Sequence, residues 1–266
     1  MIPYPFTYSR AKSVDDAVAL LASAPEGKLL AGGQTLIAAM KMRLANPSDL
    51  IDISGIEELN YIRVSGGAVA IGAATTHCEV ASSKEVAKAI PALTHLASVI
   101  GDPAVRHKGT LGGSVANNDP AADYPAAVLG LGATVKTNRR GIAADDFFQG
   151  MFTTALEDGE IVTEISFPVP QKAAYKKFAN PASRYAMAGV FVAKFADGIR
   201  VAVTGAGPGV FRVPQMEAAL ARSFTPDAVA KIAVDASGLN SDIHGSAEYR
   251  ANLVTVMAKR AVAEAA

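Results

Sequence analysis

Two glycine clusters set the terms on which this chain can fold. Ala31-Gly32-Gly33-Gln34-Thr35 stands between a short apolar run, Lys28-Leu29-Leu30, and a stretch of good helix formers from Leu36 to Leu44. Thr110-Leu111-Gly112-Gly113-Ser114 has the same make-up: a hydroxyl residue, two adjacent glycines and a second hydroxyl residue. A glycine turn between a strand and a helix leaves the first N–H groups of the helix unpaired, beside the positive end of its dipole. With no Cβ in the way a phosphate can approach those N–H groups, and Thr35 adds a hydroxyl. A tight turn explains one such cluster just as well. Two of them admit a pyrophosphate held between opposed loops, since that group presents oxygens on two sides. Neither is a Walker A or a G-x-G-x-x-G fingerprint. On chemistry alone, a nucleotide or dinucleotide site and a pair of plain turns both stay open.

The segments around the first cluster read as a small βαβ-like unit. Ser13-Val14-Asp15-Asp16 predicts a helix start with Ser13 as N-cap, an imperfect capping box because Asp replaces Glu or Gln. Pro25 and Gly27 end that helix, Lys28-Leu29-Leu30 and Leu50 to Ile53 are strands, and Leu36 to Leu44 is a helix stopped by Asn46-Pro47. Further on, a strand is expected over Ala68 to Thr75 and a helix over Pro91 to Ile100. Gly109 to Ser114 reads as a loop, and a helix follows near Ala121 to Leu131 with Asp119 as its N-cap. Strands follow near Thr134-Lys136 and Glu160-Phe167. Pro168 and Pro170 mark a linker, and Gly189 to Phe195 pairs with Ile199 to Thr204 through Asp197-Gly198. The remainder is expected to be helical, ending in a long helix over Ser246 to Ala263.

Charge and composition exclude several classes of function. Lys+Arg and Asp+Glu number 25 each, so the zero net charge gives no reason to expect nucleic acid or an anionic membrane as partner. The longest apolar stretch, Ala126 to Val135, is too short to span a bilayer, and the N-terminus has no signal-peptide pattern; a cytoplasmic chain is expected. Cys78 is the single cysteine, which rules out a disulfide framework, a cysteine zinc site and an iron–sulfur cluster held by this chain alone. His77, His95, His107 and His244 lack metal-ligand spacing, and no nucleophile elbow or H-E-x-x-H is present. Gly205-Ala206-Gly207-Pro208-Gly209 follows a strand, but Pro208 removes a donor and a surface turn is expected. Arg106-His107-Lys108 reads as a solvated basic loop. Asp123 is either a solvated first-turn carboxylate or an acceptor for a ligand hydroxyl or N–H.

In order along the chain, the motifs resemble the FAD-binding medium subunits of molybdenum hydroxylases, closest to the carbon monoxide dehydrogenase flavoprotein subunit. The resemblance begins with Ala31-Gly32-Gly33-Gln34-Thr35-Leu36 and Lys41-Met42-Arg43-Leu44. It continues with Gly109 to Asn117, Asp119-Pro120-Ala121-Ala122-Asp123, Asp145-Asp146-Phe147-Phe148, Glu160-Ile161-Val162-Thr163, Arg184-Tyr185-Ala186-Met187-Ala188 and His244 to Arg250. It implies an α+β chain: a two-part vanillyl-alcohol-oxidase-type (PCMH-type) FAD-binding domain over residues 1–171, with parts of about 1–53 and 54–171. A smaller C-terminal α+β domain would cover 172–266. It further implies that Ala31, Gly32, Gly33, Gln34, Thr35 and Leu36 bind the FAD pyrophosphate together with Thr110, Leu111, Gly112, Gly113, Ser114 and Asn117. Asp123 matches a flavin-contacting acid, Ile161 and Val162 an apolar segment near the ring, Lys177 a lysine near the cofactor and Tyr185 a tyrosine by the isoalloxazine. The first cluster has no histidine, so non-covalent FAD is expected.

The division of labour in that family implies partners. A large subunit would hold a molybdenum-pterin and a small subunit two 2Fe-2S clusters, assembled with this chain as a dimer of heterotrimers (a heterohexamer). This chain would pass electrons from the clusters to an external acceptor such as a quinone, in the cytoplasm or at the inner face of its membrane. No side chain is expected to be catalytic as an acid or base, and no metal is expected here. The alternatives are the medium subunit of an N-heterocycle or aldehyde dehydrogenase, a stand-alone flavin oxidoreductase of this fold, and a non-redox nucleotide-binding module.

Overall fold

The computed structural model describes residues 2–265. Near the N-terminus, β1 (Thr7–Arg10), α1 (Val14–Ser23), β2 (Gly27–Leu30), α2 (Leu36–Lys41) and β3 (Asp49–Asp52) build a parallel sheet in the order β1-β3-β2. Parallel neighbours need crossovers, and the two helices supply them. Ser13 caps α1 as expected, accepting from Asp16 N at 3.1 Å, but the Asp16 carboxylate receives the N–H of Lys12 at 2.9 Å, not that of Ser13. Helix α2 stops short of the expected Leu44. Arg43 turns left-handed at φ 60°, and Leu44 N reaches Ala39 O while Arg43 N reaches Met40 O, the two bonds of a Schellman ending.

The second part runs through β4 (Ile62–Ser65), β5 (Ala68–Gly72), α3 (His77–Ser82), α4 (Lys84–Ala89), α5 (Pro91–Ser98), α6 (Pro103–Lys108), α7 (Leu111–Asn117) and α8 (Tyr124–Gly130). It continues through β6 (Thr134–Thr137), β7 (Gly141–Ala143), α9 (Ala144–Phe147), the hairpin of β8 (Phe148–Gly150) and β9 (Thr153–Thr154), and β10 (Val162–Pro168). Its antiparallel sheet has the order β4-β5-β10-β6-β7. Alternation puts Val69, Ile71, Phe167, Ile165 and Val135 on one face. The register sets Phe167 against Val69 and Ile165 between Ile71 and Val135, so the apolar residues meet across the strands. Leu93 and Leu96 of α5, Leu111 and Val115 of α7, and Tyr124 and Ala126 to Leu129 of α8 share one core with that face.

The C-terminal sheet has the order β11 (Lys172–Ala179), β12 (Ala186–Lys194), β13 (Ile199–Thr204), β14 (Phe211–Arg212). Strand β12 is buried from Ala186 to Ala193, because both faces of its sheet are covered. On one side Tyr175, Phe191, Ala193 and Ala202 join the core of α5 and α8. On the other, Val190, Val192, Val201 and Val203 pack on α10 (Pro214–Arg222), α11 (Pro226–Val229) and the long α12 (Ala247–Ala265). One hydrophobic core thus runs across residue 171. Gly205 to Gly207, expected on a surface turn, are buried: Pro120 O, Arg250 and Asn240 take up their polar backbone groups. Residues 231–246, expected to be helical, hold no helix; Asp235 and Asp242 turn the chain by accepting from Ser237 N and His244 N. Among the described residues, no helix is long and apolar enough to cross a membrane.

Candidate functional site

The first glycine cluster joins β2 to α2 at the edge of a cleft. Among the described residues, none of the N–H groups of Gly32, Gly33, Gln34, Thr35 and Leu36 donates to this chain. Gly33 sits at φ +69°, where a side chain would be strained. Gly32 is glycine for another reason: a Cβ there would lie 1.9 Å from Lys108 O. The first part of the chain therefore touches the second backbone to backbone, at the end of α6. Arg106-His107-Lys108 belongs to that helix and not to a loop.

The second cluster is a helix N-terminus, not the expected loop. Thr110 caps α7, its hydroxyl accepting from Gly113 N at 3.1 Å. Leu111 N and Gly112 N donate to Thr75 O and Ala73 O at 3.0 and 2.9 Å, and Ser114 N to Thr110 O. The expected row of free N–H groups thus exists at the first cluster and is consumed at the second. Gly112 makes this possible, since a Cβ there would meet Ala73 at 2.5 Å and hold the helix off the segment after β5. What α7 offers the cleft is the bare Cα of Gly113 and the side chains of Ser114 and Asn117. Neither of these has a hydrogen-bond partner among the described residues. Leu111 faces the core and does not line the cleft.

The cleft's third wall comes from the turn before α8 and from the C-terminal sheet. Asp119 is not a helix cap; its carboxylate accepts from Ala121 N at 2.9 Å and shapes a turn, and the helix starts at Tyr124. Asp123 is buried, so the solvated reading fails. Its Oδ1 accepts from Tyr175 Oη at 2.5 Å, and its Oδ2 from Lys177 Nζ at 3.0 Å. Burial pushes the Asp123 carboxyl up, against the opposing pull of Lys177 and Tyr175. Lys177 reaches the cleft through Asp123 and does not line it. Tyr185 lines the cleft half-exposed, next to Arg184 in a left-handed conformation at φ 62°. Burial raises its hydroxyl pKa, helped by Asp119 and Asp123.

Ile161 and Val162 form the apolar wall, and Ile161 is held from both ends by Asn138. Just before it, the Glu160 carboxylate accepts from Arg140 Nε and Nη2, each at 3.0 Å, from Thr137 Oγ1 at 2.7 Å and from Glu157 N at 2.9 Å. Arg140 first, with these N–H and O–H donors, lowers its pKa to about 2.

Two residues that sequence reasoning left aside belong to the site. Among the described residues, His77 lines the cleft with a buried Nδ1 that has no hydrogen-bond partner, and burial, with Arg106 nearby, lowers its pKa to about 4. The imidazole is therefore neutral near pH 7. Tyr175 completes the surroundings of Asp123. Tyr175 and Lys177 are two apart on β11 and so share a face, a signal available once that segment is read as a strand.

The cleft has a volume of about 560 Å³ and gathers Ala31 to Leu36, Thr110, Gly112, Gly113, Ser114, Asn117, Asp123, Ile161, Val162 and Tyr185. That is ample for a small-molecule ligand. Its apolar walls, one row of free N–H groups and hydroxyl and amide donors opposite suit a long ligand with an anionic middle. Among the described residues, no cluster of His, Cys, Asp and Glu could hold a metal ion.

Residues 4–170 match the family model described as FAD binding domain in molybdopterin dehydrogenase, and residues 173–265 that of the CO dehydrogenase flavoprotein C-terminal domain. The chain is 37% identical to the glyceraldehyde dehydrogenase medium chain of Sulfolobus acidocaldarius, covering 100% of both. It is also 37% identical to the nicotine 6-hydroxylase medium subunit of Paenarthrobacter nicotinovorans, covering 97% of this chain and 96% of that one. Among solved structures, reconstituted CO dehydrogenase from Oligotropha carboxidovorans superposes with a TM-score of 0.92 at 35% identity, covering 100% of this chain and 99% of that chain.

Proposed function

The chain belongs to the family of FAD-binding flavoprotein subunits of molybdopterin dehydrogenases, and on that premise we propose that it carries electrons between partner subunits and an outside acceptor, through FAD held in this cleft. The row of free N–H groups from Gly32 to Leu36, facing α7 across the cleft, is the observation that carries the proposal. The residues fit the group. Five unpaired donors suit a pyrophosphate, the bare Cα of Gly113 leaves room opposite, and the orphaned Nδ1 of His77 awaits a partner. Thr35, Thr110, Ser114 and Asn117 would add hydroxyl and amide contacts. Ile161 and Val162 would exclude water from one side of the ring, while Asp123, Lys177 and Tyr185 would set the polarity of the other. FAD supplies the redox chemistry when bound, exchanging electrons singly or in pairs. With no histidine between Ala31 and Thr35, the chain would hold it there without a covalent bond.

With one cysteine, the chain needs other subunits for iron–sulfur clusters. In this reading a small subunit brings the 2Fe-2S clusters and a large one the molybdenum-pterin, assembled as a dimer of heterotrimers in the cytoplasm or at the inner face of its membrane. The acceptor is a quinone-type molecule. A second reading makes this the medium subunit of an aldehyde or N-heterocycle dehydrogenase. The near-equal identity to a glyceraldehyde dehydrogenase chain, a nicotine hydroxylase chain and a CO dehydrogenase structure favours it as much as the CO-oxidising reading.

The test is the visible spectrum of the purified chain with added FAD, beside Gly113→Asp. The parent should show a bound flavin spectrum, and the variant, which sets a carboxylate against the pyrophosphate, should retain none. A parent without flavin absorbance overturns the proposal. A variant that binds like the parent removes α7 from the site. Steady turnover of a substrate by the isolated chain would instead favour a stand-alone oxidoreductase.

A further inference from the structure

Lys177 joins two segments that line the cleft, the wall before α8 and the loop between β11 and β12. Its side chain is 7% exposed. The ammonium lies 2.9 Å from Asp123 Oδ1 and 3.0 Å from Oδ2, and it also donates to the carbonyl of Arg184 at 3.0 Å. Asp123 belongs to the wall before α8. Arg184 belongs to the loop between β11 and β12 that carries Tyr185 to the cleft. We propose that Lys177 is the positioning residue for Tyr185: its ammonium ties the Arg184 carbonyl to the buried Asp123 and so fixes the aromatic ring at the cleft.

Beside the loop, at the start of β12, Ala186 N also donates to Ala121 O, at a long 3.4 Å. Asn180 closes the loop on itself, with its carboxamide oxygen accepting from Ala182 N and Ser183 N, its N–H donating to Tyr185 O and its carbonyl accepting from Arg184 N. These bonds shape the loop internally and attach it to nothing outside. Arg184 holds a left-handed conformation, which costs a non-glycine residue free energy and persists when neighbours impose it. Lys177 is the cation that reaches that carbonyl. Tyr175 fixes the other end: its hydroxyl sits on Asp123, and Gly189 makes room for it, since a Cβ there would lie 2.3 Å from the Tyr175 oxygen. Three residues of adjacent strands thus place one charge, and the charge places the loop.

The flavin half of the inference rests on the FAD reading above; the loop half does not. The test uses the full chain, FAD-free and FAD-loaded, as parent, Lys177→Met, and Lys177→Met combined with Asp123→Asn. The readouts are tryptic cleavage of the Arg184–Tyr185 bond, followed by mass spectrometry, and the emission of bound flavin, which a stacked tyrosine quenches. Lys177→Met should speed that cleavage about tenfold or more, as expected for loss of one charge-assisted hydrogen bond, and should raise flavin emission. The double variant removes the uncompensated buried carboxylate and keeps the fold sound, and it should be cleaved as fast as the single one. Parental cleavage in the double variant would show that Lys177 merely balances a charge and would overturn the proposal. So would parental cleavage and emission in Lys177→Met. If the parent binds no FAD, the functional reading fails, and the cleavage rates still decide this one.

Discussion

Glycine at positions 32, 33, 112 and 113 answers four different local demands. Gly32 admits a backbone carbonyl, Gly33 a left-handed turn, Gly112 a helix against the segment after β5, and Gly113 the capping hydroxyl of Thr110, which would lie 2.9 Å from a Cβ. The sequence shows the pairs but not these reasons, because Lys108 O and Ala73 come from elsewhere in the fold. Glu160 makes the same point for charge. Its buried carboxylate has a folded pKa near 2, below the ordinary carboxylate value of 4.5. A depressed acid stabilises the folded state fully above its unfolded pKa and loses that contribution as pH falls through the folded one. Glu160→Gln should therefore cost about 2–3 kcal/mol at pH 7, and the gap should close between about pH 4.5 and pH 2. Urea melts of both proteins at pH 7 and pH 3 check it; a constant gap would mean that Arg140 does not hold the charge.

Short capped helices, more than long ones, place the site. Helix α7 has seven residues, and Thr110 both caps it and removes Gly113 N from competition for a ligand. Thr110→Ala should lower stability by about 1 kcal/mol, with Thr110→Ser close to the parent. Denaturant midpoints measure both, and an unchanged Ala variant would deny the cap its role. The hydroxyl residue before a glycine pair made the motif legible. Its helical character was not, because two glycines in four residues argue against a helix until tertiary carbonyls take up the first N–H groups. Strand β11 was missed for a related reason. Pro168 and Pro170 suggested a linker, and a lysine-rich stretch has low strand propensity, so Tyr175 and the shared face with Lys177 stayed hidden.

At the scale of the molecule, the order of the motifs was readable and the continuity of the core was not. Phe191 is fully buried between Tyr175 and Gly130, in a strand whose sheet is packed on both faces. Phe191→Ala should cost about 3–5 kcal/mol and lower the melting temperature of the whole chain in a single transition, seen alike by calorimetry and by flavin release. Two separated transitions would show that the C-terminal sheet unfolds by itself.

The wall that holds Asp123 has a further consequence. Thr204 Oγ1 donates to Pro120 O and Ala122 O, and Gly205 N to Pro120 O, so the wall is pinned by residues 82 and more positions downstream. A polypeptide leaves the ribosome N-terminus first. Both glycine clusters emerge well before β13, yet the pocket between them lacks its third side until that strand has paired. If FAD sits in this cleft as proposed, it is expected to load only after β13 has been made and paired, and a chain stalled before Thr204 should fail to hold it.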